Sequence, residues 1–262
     1  TSGLASGSQF PVGVSTINYS ATDQSGNVST CSFTVTVTDN QAPNALCQNV
    51  TVQLDATGNG STTAAAVNNG SNDACGIASL VLSQTAFVCS EVGANTETLT
   101  VTDNNGNVST CTTTVTVQDL VAPVALCQNV TVSLNAAGTG STTASAVNNG
   151  SSDACGIAST VLSQTAFTCA NVGANPVVLT VTDVNGNVST CSATVTVQDL
   201  IAPVAVCQNV TVQLDATGNG TVTGAQVNNG STDACGIASL TVSPNSFTCA
   251  NISSTISTTP VA

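Results

Sequence analysis

The chain has 262 residues with no Lys, Arg, His, Met or Trp, one Tyr, five Phe and 13 acidic side chains, for a formal charge of −13. Without cations to neutralise phosphates, and with so few aromatic rings for stacking, nucleic acid is excluded as a partner and sugar stacking is disfavoured. Hydrolytic triads, Schiff-base lysines, imidazole metal sites and phosphate clamps all need His, Lys or Arg, so the chain reads as a non-enzyme.

At 41% hydrophobic, the sequence is too apolar for a disordered acidic tail and is expected to fold. Its 12 cysteines include no Cys-x-x-Cys pair and there is no His, which points to disulfides and a location outside the cytosol. No apolar run approaches the roughly 18 to 20 residues needed to span a bilayer. Residue 1 is Thr and Met is absent, so the chain reads as a soluble piece of a longer protein.

Internal repetition dominates the organisation. Cys-Gln-Asn-Val-Thr-Val begins at Cys47, Cys127 and Cys207, a period of 80 residues. Asp-Ala-Cys-Gly-Ile-Ala recurs at Asp73, Asp153 and Asp233, and Gly-Asn-Val-Ser-Thr-Cys at Gly26, Gly106 and Gly186. In this phase the chain comprises the second half of a repeat (1–39), two whole repeats (40–119 and 120–199) and an incomplete one (200–262). From Ile252 the sequence departs from the other copies.

Within a repeat, strands are predicted at 49–54, 61–67, 77–83, 86–91, 96–102 and 110–118, with no helical periodicity. Asn-Asn-Gly at 68–70 and Asp-Asn-Asn-Gly-Asn at 103–107 read as loops. In the last strand Thr113, Val115 and Val117 face one way and Thr112, Thr114 and Thr116 the other, the pattern of a half-buried strand. Phe33, Val35 and Val37 repeat it. The expected class is all-β: tandem immunoglobulin-like Greek-key β-sandwiches in a head-to-tail rod.

Residues 8–37, from Ser-Gln-Phe-Pro-Val-Gly through Ala-Thr-Asp-Gln-Ser-Gly-Asn-Val-Ser-Thr-Cys to Val37, resemble the second half of a hyalin repeat, an extracellular immunoglobulin-like module. The order of four cysteines per repeat resembles that family too, although Cys-Gln stands where hyalin repeats commonly have Cys-Pro. The near-identical copies rich in Thr, Val, Asn and Ala are similar to the repeat region of very large gliding-motility adhesins, exported by type IX secretion in gliding Bacteroidota. That resemblance implies secretion and motility machinery as partners.

Four cysteines allow three connectivities. In an immunoglobulin topology the first and last strands run parallel from the same end, so Cys47 is expected to meet Cys111, leaving Cys75 for Cys89. The counterparts are Cys127–Cys191, Cys155–Cys169 and Cys235–Cys249, while Cys31 and Cys207 are left over. Strict alternation sets Cys47 on the opposite face from Val50 and Val52, which requires a bulge or strand switch between them.

The same topology brings the incoming linker and two loops to one end of each repeat. This gathers Asp39, Asp73 and Asp103 in one copy and Asp119, Asp153 and Asp183 in the next, a candidate calcium site with no basic residue to offset the charge. The competing reading is turn chemistry, with Asp capping its own loop. Asn-x-Ser/Thr triplets such as those at Asn49, Asn69, Asn107 and Asn129 carry a weak glycosylation signal. The expected function is an extracellular cell-surface adhesin or stalk filament with an unidentified surface ligand. The alternatives are spacer repeats in a large secreted enzyme, or an ice- or glycan-binding module.

Overall fold

Alternating Thr and Val, punctuated by Gly and Asn, builds a wholly strand-based architecture in which helix is confined to single turns. The computed structural model describes residues 7–252. The chain divides into two compact units, Thr1–Val121 and Ala122–Ala262.

The first unit opens with an antiparallel hairpin, β1 (Gly13–Thr22) and β2 (Val28–Val37), paired from Gly13↔Val37 to Thr22↔Val28. Then follow β3 (Val50–Gln53), β4 (Asn59–Ser61), the helical turn α1 (Ala64–Val67), β5 (Ile77–Leu82) and β6 (Ala86–Val88). A 3-10 turn (Cys89–Glu91) leads into the long strands β7 (Gly93–Asp103) and β8 (Val108–Gln118). One sheet has the order β3-β8-β7-β5 and the other is β4-β6. β3 runs parallel to β8, with Val50 opposite Val115, and the remaining pairs are antiparallel, the pairing of a Greek-key sandwich.

The second unit repeats this with β9 (Val130–Ser133), β10 (Thr139–Ser141), α2 (Ala144–Val147), β11 (Ile157–Leu162), β12 (Ala166–Thr168), β13 (Gly173–Asp183) and β14 (Val188–Gln198). Among the described residues that follow are β15 (Asn219–Thr221), α3 (Gly224–Val227) and β16 (Ser246–Thr248). Among the described residues no helix is long and apolar enough to cross a membrane.

The core is aliphatic. Leu99, Val101, Val115, Val117, Val67 and Phe87 are buried in the first sandwich, and Leu179, Val181, Val195, Val197, Val147 and Phe167 take the same places in the second. Inward positions on β7 and β8 alternate with Thr on the other face, so period-two patterning supplies most of the buried area. Gly60 lets β4 approach β3 closely, because a Cβ there would lie 2.6 Å from Val52 Cγ1.

Two predicted strands differ in the structure. The stretch 61–67 divides into the end of β4 and the turn α1, where the Thr63 side chain caps the Ala66 amide at 3.1 Å and Ala-Ala-Ala supplies helix propensity. Four residues are too few to reveal a helical period. The stretch 86–91 is half strand and half 3-10 turn, the turn held by a Glu91 carboxylate that accepts from the Val88 amide at 2.9 Å. The strand switch that Cys47 requires is present. Cys47 pairs antiparallel with Asn68 as an isolated bridge, and the chain crosses to β8 only from Val50.

Candidate functional site

The chemistry of this chain resides in its cysteines and in the aspartates at one end of each sandwich. Cys47 and Cys111 are bonded, with Cα atoms 5.9 Å apart, and so are Cys127 and Cys191 at 5.8 Å. Each bridge joins the segment leading into the first strand of a sandwich to its last strand, closing a loop of 64 residues. In the chain-entropy account such a loop is worth about 4 kcal/mol.

The second expected pairing is corrected by the structure. Cys169 is bonded to Cys235, 66 residues away, not to Cys155, and Cys249 is free. Cys75 is likewise a free, exposed thiol, while Cys89 and Cys155 are disulfide-bonded. The reason is distance. Asn104, just past the end of β7, donates from its side chain to Cys75 O at 2.7 Å, whereas Cys89 sits in the turn just before the start of β7. Eleven residues of strand separate those ends by roughly 33 Å, far beyond disulfide reach. The bridge from Cys169 therefore leaves its own 80-residue repeat and reaches the Asp-Ala-Cys-Gly loop of the next.

Gly138 makes room for this link. It has φ +73°, and a Cβ on it would lie 2.7 Å from Cys169 Sγ and 3.2 Å from Ala234 Cβ. A side chain here would be strained by the backbone conformation and would collide with the bridge. Sequence inspection missed the inter-repeat link because Cys75 and Cys89 lie only 14 positions apart. The available signal was the position 66 residues before Cys75, which is Gln9 where a periodic partner would be Cys.

The loops do gather around the incoming linker. Asn107 donates through its side chain to Asp39 O at 3.2 Å, and Asn104 ties the adjacent loop to Cys75. The carboxylates then part ways. Asp103 is buried and spent within its own loop: Oδ1 accepts the Asn105 and Asn107 amides, both at 2.8 Å, and Oδ2 accepts the Asn107 side chain at 2.7 Å. Asp183 does the same with Asn185 and Asn187. Neither belongs to the trios that come together. These include Asp39, Asp73 and Cys75, and again Asp199, Asp233 and Cys235, whose ligand-type atoms lie within 4.8 Å of one another. The Cys235 sulfur is already bonded to Cys169, so the second trio offers only its carboxylates.

Asp39 Oδ1 accepts the Gln41 amide at 3.0 Å and Asp73 Oδ1 the Cys75 amide at 2.7 Å, so each also serves as a turn cap. Asp119 and Asp153 cap Val121 and Cys155 in the same manner. Asp39 Oδ2 is buried and takes no N–H or O–H hydrogen bond. The Cys75 thiol that faces Asp39 is pushed above the ordinary thiol range, first by its hydrogen bond to Asp39, then by burial and by repulsion from Asp39, Asp73 and Asp103. It stays protonated at neutral pH and is a poor nucleophile.

A family model for the HYR domain matches residues 1–37. Hyalin of Strongylocentrotus purpuratus is 36% identical over 220 residues, covering 79% of this chain and 18% of hyalin itself. Among solved structures, mouse protocadherin gamma C3 EC1-3 aligns with 71% of this chain and 77% of its own at 11% identity and a TM-score of 0.32. A Ca2+-stabilised adhesin with which an Antarctic bacterium binds ice aligns with 81% of this chain and 66% of its own, at 18% identity and a TM-score of 0.29. The chain thus spans under a fifth of the length of the hyalin it matches, and it is built of hyalin-repeat-like modules.

Proposed function

We propose that this chain is a load-bearing segment of an extracellular, repetitive cell-surface adhesin or stalk. The observation that carries the reading is the Cys47–Cys111 bridge, with its counterpart Cys127–Cys191. Tension along the chain enters a sandwich before its first strand and leaves after its last. Each bridge ties those two points directly, so force bypasses the fold it encloses. The disulfide density and the absence of any basic residue suit an oxidising, protease-rich exterior, where trypsin-like enzymes find no site. Many weak contacts spread over repeats would substitute for one strong site. The finer assignment is a gliding-motility adhesin of the type IX secretion kind, supported by the near-identity of the tandem copies.

Single-molecule pulling tests this directly. Reduction should release the 64 residues enclosed by Cys47–Cys111, a gain of about 230 Å in contour length that the oxidised chain withholds. Equal extension in both states would refute the load-bearing reading.

The proposal extends to calcium held by Asp39 and Asp73, and by Asp199 and Asp233, without Asp103 or Asp183. Hard carboxylate oxygens suit the ion, the buried Asp39 Oδ2 takes no N–H or O–H hydrogen bond, and no cation in the chain offsets the charge. Backbone carbonyls and water would complete the shell. Chelation should lower the melting temperature, and Asp39→Asn should abolish part of that response. A melting temperature indifferent to chelator leaves these residues as turn caps alone.

A further inference from the structure

An asparagine followed by glycine can rearrange without an enzyme, because a glycine nitrogen carries no side chain to hinder its approach to the preceding side-chain amide. The sequence holds seven such pairs, beginning at Asn59, Asn69, Asn105, Asn149, Asn185, Asn219 and Asn229. Hydrogen bonding sorts them into two groups.

Four pairs are tied. Asn59 and Asn219 lie in β4 and β15, where their carbonyls accept the Asp55 and Asp215 amides, both at 2.8 Å. At Asn105 and Asn185 the glycine is the group that is held, since the Gly106 amide donates to Asp103 O and the Gly186 amide to Asp183 O, both at 3.3 Å. In all four the peptide after the asparagine is fixed. Exposure does not separate the groups, because Asn59 and Asn105 are as open to solvent as Asn69 is.

Asn69, Asn149 and Asn229 stand apart. Each is exposed in the same turn of its repeat, and the glycine that follows is exposed too, with φ +80°, +80° and +84°. Among the described residues, no hydrogen bond from the chain reaches the Asn69 side chain, the Asn69 carbonyl or the Gly70 amide, and the same holds in the other two turns. The flanks are firm: the Asn69 amide donates to Leu46 O at 2.9 Å, and the Ser71 amide to Asn68 Oδ1 at 2.9 Å. One peptide is thus free to rotate inside an otherwise pinned turn, and rotation is what brings its nitrogen against the Cγ of the side chain before it.

We propose that Asn69, Asn149 and Asn229 are sites of spontaneous covalent modification, each converting to aspartate and isoaspartate through a succinimide. The Gly70 nitrogen gives its proton to water as it bonds to Asn69 Cγ, the Cγ–Nδ2 bond breaks, and ammonia leaves with a proton returned from solvent. One water then opens the ring at either carbonyl, so the net change is amide plus water to carboxylate plus ammonium. Three conversions, each adding one negative charge, take the formal charge from −13 to −16. Opening to isoaspartate also adds a methylene to the main chain, beside the clasp in which Ser71 Oγ accepts the Leu46 amide at 2.9 Å and Asn68 pairs with Cys47. One turn per repeat therefore ages ahead of the rest.

The test incubates the oxidised 262-residue chain in mildly alkaline buffer, then reduces, alkylates and cleaves it at Asp and Glu, with an unincubated sample as baseline and cuts after newly made aspartate counted as conversion. Peptides 56–73 and 216–233 each carry one tied pair and one free pair, so fragmentation by mass spectrometry compares both rates within one peptide. The expected result is conversion at Asn69 and Asn229 about tenfold faster than at Asn59, Asn219 and Asn105, the ratio that one forfeited hydrogen bond supports. In urea with reductant the rates should level. Equal rates at Asn59 and Asn69 in the folded chain, or Asn69 no faster than Asn105, would overturn the proposal. So would a contrast that persists unchanged in urea, because the sequence rather than the fold would then set it.

Discussion

Glu97 occupies an inward position of β7 and is only 7% exposed, and the next two inward positions of that strand, Leu99 and Val101, are aliphatic. It accepts a short hydrogen bond from the Ser83 hydroxyl, whose oxygen in turn accepts the Thr98 amide at 2.8 Å. The next copy performs the same task without the charge: Val177 is 1% exposed, and Ser163 Oγ still accepts the Val178 amide at 2.9 Å. A buried carboxylate forfeits hydration that one hydroxyl repays incompletely. Glu97→Val should therefore stabilise the 40–119 sandwich by about 1 kcal/mol, read as a higher urea midpoint with an unchanged slope. A lower midpoint would mean that the Ser83–Glu97 pair holds the β5–β7 edge in a way that Val177 does not reproduce.

Among the elements, the Asp-x-x-Gly loops set the response to acid. The Asp103 carboxyl lies below the usual carboxylate range: burial works against its charge, and hydrogen bonds from the Asn107 side chain and from the Asn107, Asn105 and Gly106 amides outweigh it. Asp55 is lowered as well, first by the Thr57 hydroxyl at 2.6 Å and then by the Asn59 and Thr57 amides. A carboxyl whose folded pKa is depressed contributes stability that is present above its unfolded value of about 3.9 and is lost as pH falls through the folded value. Unfolding midpoints should thus be level near neutrality and decline below about pH 4, and Asp103→Asn should flatten that decline. A midpoint that fell between pH 7 and 5 would point to a different group.

These loops and the long strands were legible in the sequence because their signals are local, an Asp and a Gly at fixed offsets and strict Thr/Val alternation over ten residues. The turn at Ala64–Val67 was not, since one turn of helix between two short strands leaves no periodicity to find. The cysteine framework was half legible. Parallel pairing of β3 with β8 follows from the topology and brings Cys47 to Cys111. Cys75 and Cys89 are near in sequence yet stand at opposite ends of β7, and only the strand length separates them. At the acidic end, the convergence of loops was readable, but the inward turn of Asp103 toward its own amides depends on side-chain geometry.

For the whole molecule, the Cys169–Cys235 link means that consecutive 80-residue repeats are joined by more than the main chain. Cys127–Cys191 and Cys169–Cys235 overlap in sequence, so neither loop can be drawn out independently of the other. With almost no aromatic residues to enlarge its cores, the chain draws a large share of its cohesion from these covalent ties. The decisive measurement is a non-reducing peptide map of the oxidised chain after cleavage at Asp and Glu. It should recover the Cys47 peptide bound to the Cys111 peptide, and peptide 154–183 bound through Cys169 to the peptide that begins at Ala234 and carries Cys235. Release of 154–183 closed on itself through Cys155 and Cys169 would contradict the account, because it would return every bridge to the inside of a single repeat.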